Sequence, residues 1–125
     1  MNVVDSSAWL EYLADGPNAD FFAPAIEKAS DLLVPAIVLF EVFKKVLQER
    51  TENLALEAIS VMQHGQIVEL SGALALNAAR LSHQHKLPLA DSIILATVRA
   101  ADAVIWTQDS DFDGMEKVKF RQRKR

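Results

Sequence analysis

Four acidic residues of this sequence could form one reactive site, although they are far apart along the chain: Asp5, Glu41, Asp91 and Asp109. Asp5 and Asp109 each end a short apolar run that is typical of a buried strand. Glu41 and Asp91 lie early in predicted helices. Taken singly, each has an ordinary explanation, because a carboxylate stabilises a helix N-terminus by ~0.3–1 kcal/mol and aspartates are common where strands turn.

The chemistry changes if the fold brings these four acids together. Two carboxylates ~4 Å apart repel by about 4 kcal/mol at an effective dielectric of 20, whereas a whole domain is stable by only ~5–15 kcal/mol. Such a cluster must therefore bind protons or a cation. The chain has no cysteine and no suitably placed histidine, so hard oxygen ligands indicate Mg²⁺ or Mn²⁺. An ion of this kind supports phosphoryl chemistry by activating water.

The stretch from Leu87 to Phe112 explains how two of the acids could meet. Its first half, 90–101, is apolar on nearly every side and predicts a helix that is buried on more than one side. Its second half contains the run 103–106, which predicts a short strand inside a parallel sheet. Because a helix that leads back into a strand runs antiparallel to it, Asp91 and Asp109 are expected at the same edge of the sheet.

The rest of the chain also alternates apolar strands with helices. Strands are predicted at 1–4, 32–34, 67–70 and, as an edge strand, 118–120. Helices are predicted after a Ser6-Ser7 cap and at 19–29, 36–50, 54–63 and 72–85. This alternation predicts an α/β fold, a three-layer α/β/α sandwich with a mainly parallel central sheet. We divide the chain into one domain, 1–120, and a basic C-terminal tail, 121–125.

Charge is distributed unevenly over the 125 residues. The net charge is −4, yet the segment 117–125 carries six basic residues and no acidic one. An acidic body binds nucleic acid poorly unless a local basic surface or metal ions assist it. The tail has three interpretations that the sequence leaves open: a solvated, disordered end, a site for RNA phosphates, or a contact with a protein partner.

Several features bear on where the protein acts. No apolar run approaches the ~20 residues that a membrane-spanning helix needs, and no basic-then-apolar signal segment precedes the first strand. The absence of cysteine fits a reducing compartment. We therefore expect a cytoplasmic protein without a membrane partner.

Three stretches of the chain carry a resemblance to a known family. VVDSSAWLEYL, VLFEVFKKVL and LPLADSIILATVRAADAVIWTQDSDF together resemble a PIN-domain nuclease, and specifically a VapC-type toxin of a toxin–antitoxin pair. The resemblance covers essentially the whole chain. It implies a PIN-like fold and an endoribonuclease whose four acids are both catalytic and ligands of Mg²⁺ or Mn²⁺. It also implies a supporting hydroxyl at Thr107, whereas Asp111 is expected to be peripheral.

The same resemblance implies partners: an RNA substrate, a cognate VapB-like antitoxin and a second copy of the chain in a homodimer. An amphipathic antitoxin helix would need an apolar surface beside the acids. Some of the apolar residues on the flanking helices must line the core, but their number leaves candidates for this surface: Trp9, Leu10, Leu13, Phe40, Phe43 and Leu47. An inhibitor's arginine or lysine could then replace Mg²⁺ as the counter-charge of the acids.

The alternative function is a non-catalytic PIN-like module that binds RNA or protein without cutting it. The sequence disfavours this alternative, because all four acids are present. A zinc site at His83 and His85 is also disfavoured, since side chains two apart on a helix point in different directions and no third ligand is evident. The segment after Asp5 lacks the D-x-D of haloacid-dehalogenase-type phosphatases, and the chain has no glycine-rich phosphate loop.

Overall fold

A five-stranded parallel sheet forms the centre of the computed structural model, which describes residues 1–124. The strands are β1 (Asn2–Val4), β2 (Leu32–Pro35), β3 (Gln66–Val68), β4 (Val104–Thr107) and β5 (Val118–Phe120). Their order across the sheet is β3-β2-β1-β4-β5, and every neighbouring pair is parallel. β1 is therefore central, and the carboxyl ends of all five strands lie at one edge.

Six helices flank this sheet within residues 1–124. They are α1 (Ser6–Leu13), α2 (Ala19–Glu27), α3 (Ala36–Glu49), α4 (Glu52–Met62), α5 (Gly72–His85) and α6 (Leu89–Ala100). Short 3₁₀ turns occupy Ala29–Asp31 and Ser110–Phe112. The predicted three-layer α/β/α sandwich with a parallel sheet is confirmed. None of the helices that the structure describes has the length and apolar character needed to cross a bilayer.

Helix α6 has more buried residues than any other helix that the structure describes. Every residue from Ser92 to Val98 is buried, and the helix packs against α5, α3 and β4. The hydroxyl of Thr97 donates to the carbonyl of Ile93 at 2.9 Å, so this buried polar group is satisfied within the helix. The predicted burial of this helix on more than one side is confirmed.

The start of α1 differs from the predicted serine cap. Asp5 is the N-cap residue: its Oδ1 accepts from the backbone N–H of Ala8 at 2.9 Å and from the hydroxyl of Ser7 at 2.8 Å. A carboxylate caps a helix at least as well as a serine does, and β1 ends immediately before it. The cap therefore holds one of the candidate acids in place at the junction of strand and helix.

The buried face of α3 also differs from expectation. The spacing of Leu39, Phe40, Phe43 and Leu47 predicts that they form the apolar side of this helix, but its buried residues are Val38 and Val42. Phe40 is 59% exposed and Leu47 is 41% exposed. The helix has apolar residues on two faces, and only the packing against the sheet decides which face turns inward.

The C-terminal segment continues the sheet beyond β5. The predicted edge strand at 118–120 is confirmed, and the backbone N–H of Arg121 donates to the carbonyl of Thr107 at 3.1 Å. The carbonyl of Gln122 accepts from the side chain of Asn18 at 3.0 Å. These bonds argue against a wholly solvated tail. Arg125, the last residue of the predicted tail, lies outside the described residues.

Candidate active site

The parallel sheet brings the four predicted acids to one edge. Asp5 follows β1, and Asp109 follows β4, the neighbour of β1. Asp91 lies in the first turn of α6, and Glu41 lies in the second turn of α3. All four line a single cleft of about 930 Å³. The structure thus gathers the predicted acids, which are separated by up to about a hundred residues in sequence, around one space.

Asp5 is the most enclosed of these acids, with 2% of its surface exposed. Its Oδ1 accepts the two bonds of the helix cap, and its Oδ2 accepts from the hydroxyl of Thr107 at 2.5 Å. Burial raises the pKa of Asp5 to about 6, with a smaller contribution from the charge of Asp109, although its hydrogen bonds lower it. Its carboxyl is therefore rigidly oriented and costly to ionise.

Thr107 links two of the acids through a single oxygen. Its buried hydroxyl donates to Asp5 and accepts from the backbone N–H of Asp109 at 2.8 Å. Since a hydroxyl has one donor and two acceptor lone pairs, both contacts are satisfied at once. Thr107 occupies the position of the predicted supporting hydroxyl, at the end of β4.

Three carboxylates, two of which line the cleft, lie close together. One oxygen from each of Asp91, Asp109 and Asp111 lies within 4.8 Å of the other two. The Oδ1 of Asp109 accepts from the backbone N–H of Asp111 at 2.9 Å and caps the 3₁₀ turn. Asp111 therefore belongs to the acidic group, although the resemblance led us to expect a peripheral position for it. The D-x-D spacing of Asp109 and Asp111 could have indicated this position in the sequence, because an aspartate side chain commonly accepts a bond from the backbone two residues further on.

The pKa of Asp91 shows how poorly these charges are compensated. It is raised to about 8, first by burial, then by the charge of Asp109, by a hydrogen bond with Asp111, and by the charges of Asp111 and Asp5. A carboxyl with this pKa carries a proton at neutral pH unless a cation takes the proton's place. Carboxylate oxygens without sulfur or nitrogen ligands suit a hard divalent cation. The residues present therefore fit the expected metal.

Glu41 lies in the same cleft but has different contacts. It accepts from the hydroxyl of Ser6 at 2.5 Å. The sequence also allows an ion pair between Glu41 and Lys45, which are four residues apart on one helix, but Lys45 is paired with Glu49 instead, at 3.0 Å. Ser6 at the start of α1 therefore holds the Glu41 carboxylate inside the cleft.

The cleft walls come from α1, the end of α3 and α4. Leu10 and Leu13 face the cleft from α1, and Leu54 and Val61 face it from α4. The sequence does not identify α4 as a wall of the cleft, because its apolar residues fit an ordinary buried face equally well. Three cations, Lys45, Arg50 and Arg123, also line the cleft. The site thus combines apolar walls and a partly basic rim with an acidic floor, which is formed by Asp5, Asp91 and Asp109.

The predicted antitoxin surface is only partly present beside the acids. Trp9 is completely buried, so it is one of the candidates that line the core and offers no surface. Leu10 and Leu13 line the acidic cleft as expected. The remaining candidates, Phe40, Phe43 and Leu47, line a separate apolar groove on α3 and α4, together with Leu39, Lys44, Leu56 and Ile59. What the sequence suggested as one surface is therefore two.

Comparisons with solved structures support the fold described above. A toxin–antitoxin complex from Klebsiella pneumoniae matches with a TM-score of 0.79 and 22% identity, over 95% of this chain and 96% of that one. VapC20 of Mycobacterium tuberculosis, a sarcin-ricin loop cleaving toxin, matches with a TM-score of 0.79 and 17% identity, over 94% and 97%. FitAcB from Neisseria gonorrhoeae matches with a TM-score of 0.72 and 20% identity, over 96% of each chain.

Comparison with curated proteins gives no significant match. A comparison with family profiles is decisive, because the profile described as PIN domain matches residues 3–118. This match spans β2, β3 and β4 in full, most of β1, the first residue of β5 and every acid of the cleft. The chain belongs to the PIN domain family.

Proposed function

We propose that this chain is a VapC-type toxin, a metal-dependent endoribonuclease that a cognate antitoxin neutralises. The observation that carries the proposal is the convergence of Asp5, Glu41, Asp91 and Asp109 on one cleft, with Asp111 beside them. The structures that this chain resembles include a toxin–antitoxin complex and a toxin that cleaves the sarcin-ricin loop. Both the acids and the likeness support cleavage of cellular RNA.

Each acid receives a role from its surroundings. Asp91, Asp109 and Asp111 would hold Mg²⁺ or Mn²⁺, and Asp5 would complete this acidic floor. When bound, such an ion lowers the pKa of water and stabilises negative charge on the phosphoryl group. Thr107 keeps the carboxyl of Asp5 oriented through its 2.5 Å bond. Glu41, held by Ser6, either contributes a ligand or accepts a proton from the attacking water.

The proposed reaction is hydrolysis of a phosphodiester. A water oxygen attacks the phosphorus in line, and the bond from phosphorus to the 3′ oxygen breaks. The departing 3′ oxygen takes a proton, so the products carry 5′-phosphate and 3′-hydroxyl ends. The ribose 2′-hydroxyl takes no part as a nucleophile, which separates this mechanism from that of metal-free ribonucleases.

Cleavage of single-stranded RNA by the antitoxin-free protein, in Mg²⁺ and in EDTA, tests the proposal. Asp91→Asn should reduce cleavage by about 10³-fold, because a catalytic metal supplies several kcal/mol of transition-state stabilisation. Asp113→Asn is the matched control, since Asp113 is exposed and lies outside the acidic group. Equal activity of the two variants would contradict the assignment of the site.

The non-catalytic alternative makes a different prediction in cells. If the chain acted only by binding, growth inhibition would survive both Asp5→Asn and Asp91→Asn, because each substitution leaves the shape of the side chain almost unchanged. The nuclease proposal expects both variants to be harmless when they are expressed at the wild-type level. Expression measured by immunoblot distinguishes a harmless protein from an unstable one.

We further propose that the antitoxin places an amphipathic helix in the cleft, against Leu10, Leu13 and Val61. One of its arginines or lysines would then face the acids as a counter-charge. Removing that residue should weaken inhibition, and Mg²⁺ should compete with the intact antitoxin. If an antitoxin without any basic residue near the site protects equally well, occlusion alone explains inhibition.

The cellular setting completes the proposal. We propose that the toxin acts in the cytoplasm, where its RNA substrates are made, and that it forms a homodimer as the family resemblance implies. Sedimentation of the purified protein at several concentrations tests the second statement. A monomer at all concentrations would refute the dimer and leave the nuclease proposal unaffected.

A further inference from the structure

The basic C-terminal segment is fixed beside the cleft by a buried amide. Asn18 is 1% exposed. Its Nδ2 donates to the side-chain oxygen of Gln108 at 3.1 Å and to the carbonyl of Gln122 at 3.0 Å. The N–H of Arg121 is bonded to the end of β4 at Thr107. The chain after β5 therefore follows a defined path toward the carboxyl edge of the sheet.

Three cations alternate along this path: Lys119, Arg121 and Arg123. In an extended strand, side chains two residues apart lie on the same side and are separated by about 6.6 Å. This applies to Lys119 in β5 and to Arg121, whose N–H continues the pairing with β4. The Nζ of Lys119 lies 4.5 Å from the ring centroid of Trp106. The guanidinium carbon of Arg121 lies 4.5 Å from that of Phe21. These cation–π contacts orient both side chains without neutralising their charge.

Arg123 extends this row of cations into the acidic cleft, which it lines together with Asp5, Asp91 and Asp109. Among the residues that the structure describes, none of the ion pairs involves Lys119, Arg121 or Arg123. By contrast, the neighbouring Lys117 is paired with Asp102. The row is therefore an uncompensated positive strip that ends at the site of the proposed chemistry.

We propose that Lys119, Arg121 and Arg123 form a phosphate-binding strip that guides the RNA backbone along β5 into the cleft. Arg123 would bind a phosphate next to the scissile one, and the other two residues would bind phosphates further along the strand. This inference rests on the proposed nuclease function. RNA is favoured over an acidic protein segment, because the strip leads to the acids that must receive a phosphodiester. It also adds local positive charge to a body that is acidic in total.

The test compares Arg123→Gln with Arg99→Gln in steady-state cleavage of single-stranded RNA. Arg99 is exposed in the last turn of α6, at the opposite edge of the sheet, so its substitution makes the same charge change away from the cleft. Arg123→Gln should raise KM about tenfold, the scale of a charged hydrogen bond. Its kcat should remain within about twofold of the wild-type value. Arg123→Lys should recover most of the loss.

Salt dependence provides a readout that a purely structural role would not change. Each phosphate contact contributes about 0.7 to the slope of log affinity against log salt for single strands. Replacing all three residues of the strip by glutamine should therefore reduce the slope by about 2. Fluorescence anisotropy with a labelled single-stranded RNA in EDTA measures this slope without any cleavage. Failure of the nuclease proposal, seen as no cleavage in Mg²⁺ by the wild type, is thus distinguishable from failure of the strip.

Two results would overturn the inference. In the first, Arg123→Gln and Arg99→Gln show the same KM, and the triple variant keeps the wild-type salt slope. In the second, the triple variant binds RNA normally but loses affinity for the antitoxin, which would assign the strip to a protein partner. A reduced slope together with a raised KM supports the proposal.

Discussion

At the scale of single residues, Thr107 is the side chain on which the geometry of the acids depends most. Its hydroxyl is the donor to Asp5 and the acceptor from Asp109, and it is fully buried. Valine has nearly the same shape as threonine but can make neither bond. The substitution therefore leaves one buried carboxyl short of a donor and one backbone N–H without its acceptor.

We predict that Thr107→Val destabilises the protein by about 1–3 kcal/mol, the cost of unsatisfied buried polar groups. It should also weaken Mn²⁺ binding by about 10–100-fold, as loss of a group that orients a metal ligand does. Thr97→Val is the control, because the buried Thr97 hydroxyl bonds only within α6. Calorimetric titration with Mn²⁺ should separate the two variants, and equal metal affinity would show that Thr107 has no role in the site.

The raised pKa of Asp91 predicts a pH-dependent stability of the metal-free protein. An ordinary aspartate titrates at 3.8, whereas Asp91 titrates at about 8 in the folded protein, so the folded state holds an extra proton between these values. The stability that this proton provides is present below pH ~4 and is lost as the pH rises through ~8. Asp5, with a pKa of about 6, acts in the same direction over a narrower range.

Asp91→Asn stays neutral and can still donate to Asp111, so it should escape this loss. In EDTA at alkaline pH its melting temperature should exceed that of the wild type by about 5 °C, after allowance for the solvent screening of a half-buried group. At pH ~4 the two proteins should melt together. If the difference in melting temperature between the two proteins stays the same across this pH range, the charge repulsion inferred here is contradicted.

Asp111 provides a direct test of the membership of the acidic group. Its carboxylate lies within the group of three, whereas Asp113, two residues further on, does not. We expect Asp111→Asn to weaken Mn²⁺ binding by about tenfold, because it removes one charged oxygen ligand. Asp113→Asn should leave binding unchanged. Equal losses in both variants would indicate a diffuse effect of net charge in place of a defined ligand set.

The sequence predicts the four main acids because Asp5 and Asp109 follow apolar strands, whereas Glu41 and Asp91 lie early in helices. Asp111 is harder to predict, because its position depends on the turn that the Asp109 carboxylate closes through the backbone N–H of Asp111. The partner of Lys45 is equally hidden in the sequence. Glu41 and Glu49 are both four residues away from it, and only the folded structure shows that Glu49 is chosen.

At the scale of elements, long apolar runs are predictable and two-faced helices are not. The apolar run of α6 and the strand after it have no wide polar face, so the sequence predicts the burial of both elements correctly. Helix α3 has apolar residues on two faces, and the choice of Val38 and Val42 for the core depends on neighbours that the sequence does not reveal. The N-cap of α1 differs by one residue, since Asp5 and Ser6 are both good caps.

The link between the turn before α2 and the C-terminal segment gives a prediction at this scale. Asn18→Ala removes the amide that holds Gln108 and Gln122, and should cost about 1–3 kcal/mol. It should also expose the bond after Arg121 to trypsin. Gln122→Ala is the matched control, because it keeps the backbone carbonyl that accepts the bond. Limited proteolysis followed by mass spectrometry measures the difference, and identical cleavage would refute the link.

At the scale of the whole molecule, strand order explains why distant residues meet. β1 and β4 are neighbours at the centre of the sheet, so Asp5 and Asp109 leave adjacent strands at the same edge. The sequence predicts a parallel sheet but not this order, and therefore not which acids become closest. The folded protein also brings the two kinds of charge together, because Arg123 of the basic segment lines the acidic cleft.

The central claim is that the acidic cleft hydrolyses RNA by a metal-dependent mechanism. Mapping the chemical ends of RNA cut by the purified, antitoxin-free protein tests this claim most directly. We predict 5′-phosphate and 3′-hydroxyl ends at every cut, produced in Mg²⁺ or Mn²⁺ and absent in EDTA. Cyclic 2′,3′-phosphate ends, or undiminished cleavage in EDTA, would contradict the account.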